Sequence, residues 1–261
     1  MNYSFLFRTD AVVLCLLLFT GCIVMVMLGR FFRNRFLKKD EQEYKGGVNS
    51  LLGALFGLWG FIVAFTFGSS ASRFDNVRSM MVEEANTIRT AILRTQTFPD
   101  TIGTDLYNDL KPYLEARIAY YDYASDFDKL NKARQDAEDI GKRMWTKTVH
   151  ASRLPNMALA GSNMLATLSS MYDLGARRDA LLLSGVPDPI IYMLFFLAMA
   201  ISFIGGFTTP VIHTKEWIVI AGFILLATVI IYLTLDLGRP LRGFIRPDVG
   251  EARFLHLRDM F

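Results

Sequence analysis

The chain has 261 residues, 52% of them hydrophobic and 20% charged, with a mean hydropathy of +0.30. That is too apolar for an ordinary soluble domain, and the excess lies in a few blocks, which points to membrane spans rather than one large core. A net charge of only +3 gives no sign of a nucleic-acid partner, and the sequence pI near 8.8 fits a membrane protein with basic flanks.

Residues 11–28 form the first apolar block. At ~1.5 Å per residue a helix of this length nearly crosses a bilayer core of ~30 Å. A cleaved signal peptide would carry its basic residues before the apolar core. Here Arg30, Arg33, Arg35, Lys38 and Lys39 follow it, so the block reads as a retained span. It holds both cysteines, Cys15 and Cys22, seven residues apart and on one helix face. A disulfide inside one helix is geometrically excluded and a metal needs more ligands, so both read as small packing residues.

The second span covers about Leu51 to Ser70. Gly53, Gly57, Gly60, Ala64 and Gly68 recur at steps of three and four and form one stripe of small residues. Such a stripe lets helix backbones approach closely in lipid, either against another span of the same chain or against a second subunit. Phe56, Trp59, Val63 and Phe67 lie on the opposite side, and Phe61 and Phe65 lie beside the stripe. Residues 73–95 contain neither Gly nor Pro, and Met81, Ala85, Ile88 and Ile92 repeat at helical spacing. The second span is therefore expected to leave the membrane as one long helix, ending near Phe98-Pro99.

Further helices are expected over residues 101–184. Leu106, Leu110, Leu114 and Ile118 share a face, with Pro112 as a possible kink. A charged helix covers about Ser125 to His150, and Pro155 opens another with Leu159, Leu165, Leu168, Met171 and Leu174 as its apolar face. Between Ser72 and Pro187, fifteen Lys/Arg balance fifteen Asp/Glu, as expected of a solvated helical domain. The run from Gly185 to Pro189 is a stop and restart. Ile190 to Phe207 is the third span and Trp217 to Leu235 the fourth, with Trp217 and Tyr232 placed as interfacial anchors. A basic tail follows.

The expected architecture is thus an all-α polytopic membrane protein with four transmembrane helices. Residues 1–71 hold spans one and two, residues 72–187 a helical extramembrane domain, residues 188–237 spans three and four, and residues 238–261 the tail. Basic residues divide over the two sides. The loop after the first span has six Lys/Arg, while Arg8, Arg73, Arg78, Arg89, Arg177, Arg178 and five tail arginines share the other side. The larger total places the helical domain and the termini in the cytoplasm.

Catalytic signals are missing. His150, His213 and His256 stand far apart, and no zinc, phosphate-loop or nucleophile-elbow spacing occurs. Glu83 and Glu84 are neighbours in sequence, lie about 100° apart on a helix, and read as a solvated face. No enzyme activity, cofactor or metal is expected.

The second span and the tail carry a family resemblance. Val48-Asn-Ser-Leu-Leu-Gly-Ala-Leu-Phe-Gly57, Ala64-Phe65, Arg73-Phe-Asp75 and Val82-Glu-Glu-Ala-Asn86 resemble a family of bacterial membrane proteins called bestrophin-like. The tail run with Asp236, Arg239, Pro240, Gly243 and Arg246 matches that family's tail signature. Bacterial bestrophins themselves end the second span with Ala-Phe, then eight residues on Arg-Trp-Trp, then a further Arg. Ala64-Phe65, Arg73 and Arg78 keep this spacing, with Phe74 and Asp75 in place of the tryptophans.

The resemblance implies a homo-oligomer, a pentamer, in a bacterial plasma membrane, with the second helix lining an anion-conducting pore. On that reading Phe61, Phe65 and Ser69 line a constriction, and Arg73 and Arg78 draw anions at the helix exit. A non-conducting scaffold or sensor acting through the helical domain is the alternative. Asp236, at the end of a span, is expected to pair with an arginine.

Overall fold

The protein is seen in a computed structural model that describes residues 9–36, 44–123, 126–183, 186–208, 214–239 and 243–261. Among these residues all regular structure is helical. The helices are α1 (Ala11–Phe36), α2 (Tyr44–Thr95), α3 (Asp100–Asp122), α4 (Phe127–Ser152), α5 (Ala158–Leu183), α6 (Asp188–Thr208), α7 (Thr214–Leu237) and α8 (Asp248–Leu257), followed by a 3₁₀ turn, Arg258–Met260. Four of them, α1, α2, α6 and α7, are long and apolar enough to cross a membrane. The expected four-span, all-helical protein is what the chain forms.

The chain divides into two compact units, Met1–Ser72 with Gly185–Gly238, and Arg73–Ser184 with Arg239–Phe261. In the first, α1 packs along α6 and α7. Leu14, Leu18, Val26, Trp59, Leu194, Ala198, Ile201, Ile224 and Ile231 form its core. Cys15 and Cys22 are both buried in it as free thiols.

A close backbone approach in this unit is made by two glycines that the sequence reading did not single out. A Cβ on Gly29 would collide with the Phe203 carbonyl, and one on Gly206 with the Val26 carbonyl. These two residues let α1 and α6 touch backbone to backbone. Beside them, Arg33 donates to the carbonyls of Phe207 (2.9 Å) and Thr208 (3.0 Å). The last carbonyls of a helix lack intrahelical donors, and here an arginine of the neighbouring helix supplies them. Arg33→Ala is expected to destabilise the protomer by about 1–3 kcal/mol, the cost of leaving such groups unpaired. Denaturant titration in detergent measures this, and a wild-type midpoint would refute it.

The second unit is a helical bundle in which α3 packs on α4, α4 on α5, and α8 on α3. Met81, Ile88, Leu106, Leu110, Leu114, Met144, Met164, Leu168 and Phe254 are among its large fully buried apolar residues. The stripes read on α2 and α3 are both buried. Helix α3 runs through Pro112 without ending. Asp126 caps α4, accepting from the Lys129 amide at 3.2 Å. Between α4 and α5 the chain turns at Asn156, whose φ of 64° is one of the few left-handed conformations asparagine tolerates.

Three expectations change here. Glu84 is not on a solvated face; it is fully buried, while Glu83 is exposed. Leu159 is 76% exposed, because the buried stripe of α5 is Met164, Leu168, Met171, Gly175, Arg178 and Leu182, which includes a glycine and an arginine. The tail is not merely a basic extension. Phe254 and Leu257 of α8 sit in the core, and Tyr107 donates to the Met260 carbonyl at 2.7 Å.

Candidate functional site on the second helix

Helix α2 has 52 residues, about 78 Å at ~1.5 Å per residue, more than twice a bilayer core. Its apolar stretch ends near Ser70, and the remainder belongs to the second unit.

In the first unit one side of α2 is anchored. The Trp59 indole donates to the Leu194 carbonyl at 3.3 Å, and its ring meets Phe223 edge-on at 5.7 Å. Phe56 meets the same ring at 4.8 Å. Val63, Thr66 and Ser70 continue this buried side, and Thr66 returns its hydroxyl proton to the Ile62 carbonyl at 2.7 Å.

Among the described residues the other side of α2 is open. A Cβ built on Gly53, Gly57, Gly60 or Gly68 would meet no atom within 4 Å. Ala64 and Ser69 are exposed, and Phe61 and Phe65 are 71% and 68% exposed. The small-residue stripe is therefore not the place where this protomer packs its own helices.

Beyond Ser72 the expected arginines separate. Arg73 is half-buried and donates to the Leu181 carbonyl of α5 at 3.4 Å. Arg78 is exposed and borders an open groove with Asp75, Ser79, Val82, Glu83 and Asn86. Of the tail residues, Asp236 is buried and shares a side-chain hydrogen bond with Tyr232. Arg239 is half-buried, its carbonyl accepts from the Gly243 amide at 2.9 Å, and Arg246 is exposed. Pro240 lies outside the described residues.

A second constellation surrounds Glu84, and the sequence reading missed it. The Glu84 carboxylate takes the Arg117 guanidinium at 2.7 Å and the Arg178 guanidinium at 2.5 Å. Asp179 pairs with the same two arginines at 3.1 and 3.4 Å. Arg178 is fully buried, lies over the rings of Tyr120, Tyr121 and Phe254, and donates to the Tyr121 hydroxyl. Burial pushes the Glu84 carboxyl up to about 7 while Arg117 pulls it down. Burial opposes the charge of Arg117, but Glu84 and Asp179 outweigh it and hold the guanidinium well above its usual value. The cluster joins α2, α3, α5 and α8 through two arginines and two carboxylates, and Arg117 has a close neighbour in Gly175, where a side chain would crowd it. The only sequence signal was two Arg and an Asp in succession at 177–179 on an otherwise apolar helix.

Among the described residues no group of three or more His, Cys, Asp or Glu could hold a metal ion.

Comparison with known proteins agrees with this architecture. A crystal structure of a bacterial bestrophin homolog from Klebsiella pneumoniae, carrying a point mutation, superposes with a TM-score of 0.65. It covers 95% of this chain and 100% of the other at 11% identity, a likeness of fold. No curated protein matches the chain. Residues 15–247 match the family described as the Bestrophin-like domain, nearly the whole chain, and the protein belongs to the bestrophin-like family.

Proposed function

We propose that this protein assembles in the bacterial plasma membrane as a homo-oligomeric ion channel lined by α2, with the helical unit and termini in the cytoplasm. The observation that carries this is the open glycine side of α2. Each glycine in a helix interior costs about 1 kcal/mol relative to alanine. Gly53, Gly57, Gly60 and Gly68 receive no compensating contact within the protomer. Copies of the chain packed around an axis supply that contact, and a pentamer is the number the family resemblance implies.

Phe61 and Phe65 then form an apolar constriction, with Ser69 one turn further on. A ring of apolar side chains gates by dewetting, and polar residues beyond it restore hydration. Asp236 stands at the end of the last span and Arg239, Pro240, Gly243 and Arg246 in the tail that follows, and an arginine partner for the buried Asp236 carboxylate keeps the span end neutral. For the ion, the resemblance implies an anion drawn by Arg73 and Arg78.

The test is the mass of the purified protein in lipid nanodiscs together with ion flux into reconstituted vesicles. A multiple of the protomer mass and flux above empty vesicles are expected, and Phe61→Ala with Phe65→Ala should raise the flux several-fold by removing the constriction. A monomer, or vesicles no leakier than controls, would end this reading.

A further inference from the structure

The open side of α2 continues past Ser70. The helix runs from Tyr44 to Thr95, and residues eighteen apart share a face, because eighteen residues complete five turns at ~3.6 residues per turn. On this count Asp75 and Leu93 fall on the line of Gly57, Val82 on that of Ala64 and Asn86 on that of Gly68. Leu93 is exposed and Val82 half-buried, two apolar side chains presented by the charged part of the helix. The described residues that border the groove here, Asp75, Arg78, Ser79, Val82, Glu83 and Asn86, all belong to α2 itself.

The two flanks of this face carry opposite charge. Arg78 shares its line with Gly60, at one edge of the glycine stripe, and Arg89 stands near it. Glu83 shares its line with Phe65, roughly 140° round the helix from Arg78 at ~100° per residue. All three side chains are exposed, and among the described residues none of them makes an ion pair. Exposed charges elsewhere in this unit do find partners, Lys142 with Glu138 at 2.9 Å and Arg258 with Glu115 at 2.6 Å.

Copies arranged in a closed ring meet through two different flanks of the same protomer. In a ring of five, a helix sees its two neighbours about 110° apart. The stripe line and Glu83 are separated by roughly 100°, and Phe61 and Ser79 lie between them, on the side that would face the axis. Parallel helices that wind around one another pair charges five residues apart, the g position of one helix with the following e position of its neighbour. Arg78 and Glu83 have that spacing, and five residues rise only ~7.5 Å, within reach of two long side chains. Arg89 lies six residues beyond Glu83, on the wrong side for such a pair.

We infer that Arg78 of one copy pairs with Glu83 of the neighbouring copy, so that the subunit contact extends along α2 beyond its membrane span. This rests on the reading of α2 as the helix around which copies assemble. It gives Arg78 a place in the contact, distinct from the attraction of anions that the resemblance implies for it. Opposite charges on the two flanks fix which flank meets which and penalise slipped arrangements that bring like charges together.

Charge reversal in the full chain tests this. Labelled copies in lipid vesicles report assembly by fluorescence energy transfer as the protein is diluted with lipid. Arg78→Glu or Glu83→Arg alone sets like charges against each other at every contact and should raise the half-dissociation density about tenfold. The two reversals together should return it to within about threefold of the wild type. The positions are exposed, so each variant should melt as the wild type does. Single reversals that assemble normally, or a double reversal no better than the single ones, overturn the inference and leave the channel reading standing. Rescue of Glu83→Arg by Arg89→Glu in place of Arg78→Glu overturns it as well. A wild-type protein that never assembles overturns the channel reading itself.

Discussion

Arg178→Ala is expected to cost about 3–5 kcal/mol and to unfold the helical unit, because it strands buried charge. Arg178 is fully buried, and its removal takes a partner from both Glu84 and Asp179. It also empties the space between the rings of Tyr120, Tyr121 and Phe254. Lysine cannot restore the site, since a point charge does not bridge two carboxylates while lying flat on aromatic faces. The adjacent Arg177 supplies a control, for it is exposed and Arg177→Ala should change stability by less than about 0.5 kcal/mol. Thermal melting of the purified protein and protease resistance of the second unit would separate the two. Equal melting temperatures for both variants would show that the cluster does not hold this unit together.

The second large effect concerns two sets of glycines that look alike in the sequence. Gly206→Leu should prevent the protomer from folding, because even a Cβ there runs into the Val26 backbone and two helices must part. Overpacking of this kind costs about 1–3 kcal/mol or more. Gly57→Leu with Gly60→Leu should leave the protomer at least as stable as the wild type, since each glycine replaced in an open helix returns up to about 1 kcal/mol of helix propensity. The same double variant should lose the oligomer, as the helices can no longer approach. Denaturant titration reads the first quantity and particle mass in nanodiscs the second. If the double variant melts as Gly206→Leu does, the stripe packs within the protomer. If it melts normally and keeps its mass, the stripe is not the subunit contact.

These two cases mark where the residues alone do not suffice; the membrane spans are where they do. A bilayer demands about twenty apolar residues for a helical span, a requirement so coarse that composition answers it. Hence Ala11–Phe36, Asp188–Thr208 and Thr214–Leu237 fall where the apolar blocks are, and the absence of Gly and Pro after Ser72 carries α2 on to Thr95. The core stripes of Met81, Ala85, Ile88 and Ile92 and of Leu106, Leu110, Leu114 and Ile118 were equally legible, because apolar residues at helical spacing have little else to do.

Apolar periodicity failed where the buried face is not apolar. On α5 the inward stripe runs through Gly175 and Arg178, so a reading that counts only leucines turns Leu159 inward when it faces out. Glu84 sits between Met81 and Ile88 on the inward side of α2, and nothing local distinguishes it from exposed Glu83. Burying a carboxylate is tolerable only when cations are already in place to meet it. Those cations come from α3 and α5, 33 and 94 residues away along the chain.

What the amino-acid sequence determined by itself is the number of spans, their helical state, the long second helix and the family signature around it. Those depend on the chain's response to lipid and on local backbone preference, both of which act residue by residue. Which glycines meet a neighbour, which arginine is buried, and which side of α2 is left open were decided only by tertiary structure. Each is a statement about two distant segments at once. A glycine such as Gly29 becomes a packing residue only when Phe203 arrives opposite it, whereas Gly57 carries the same local signal and, in this protomer, meets nothing.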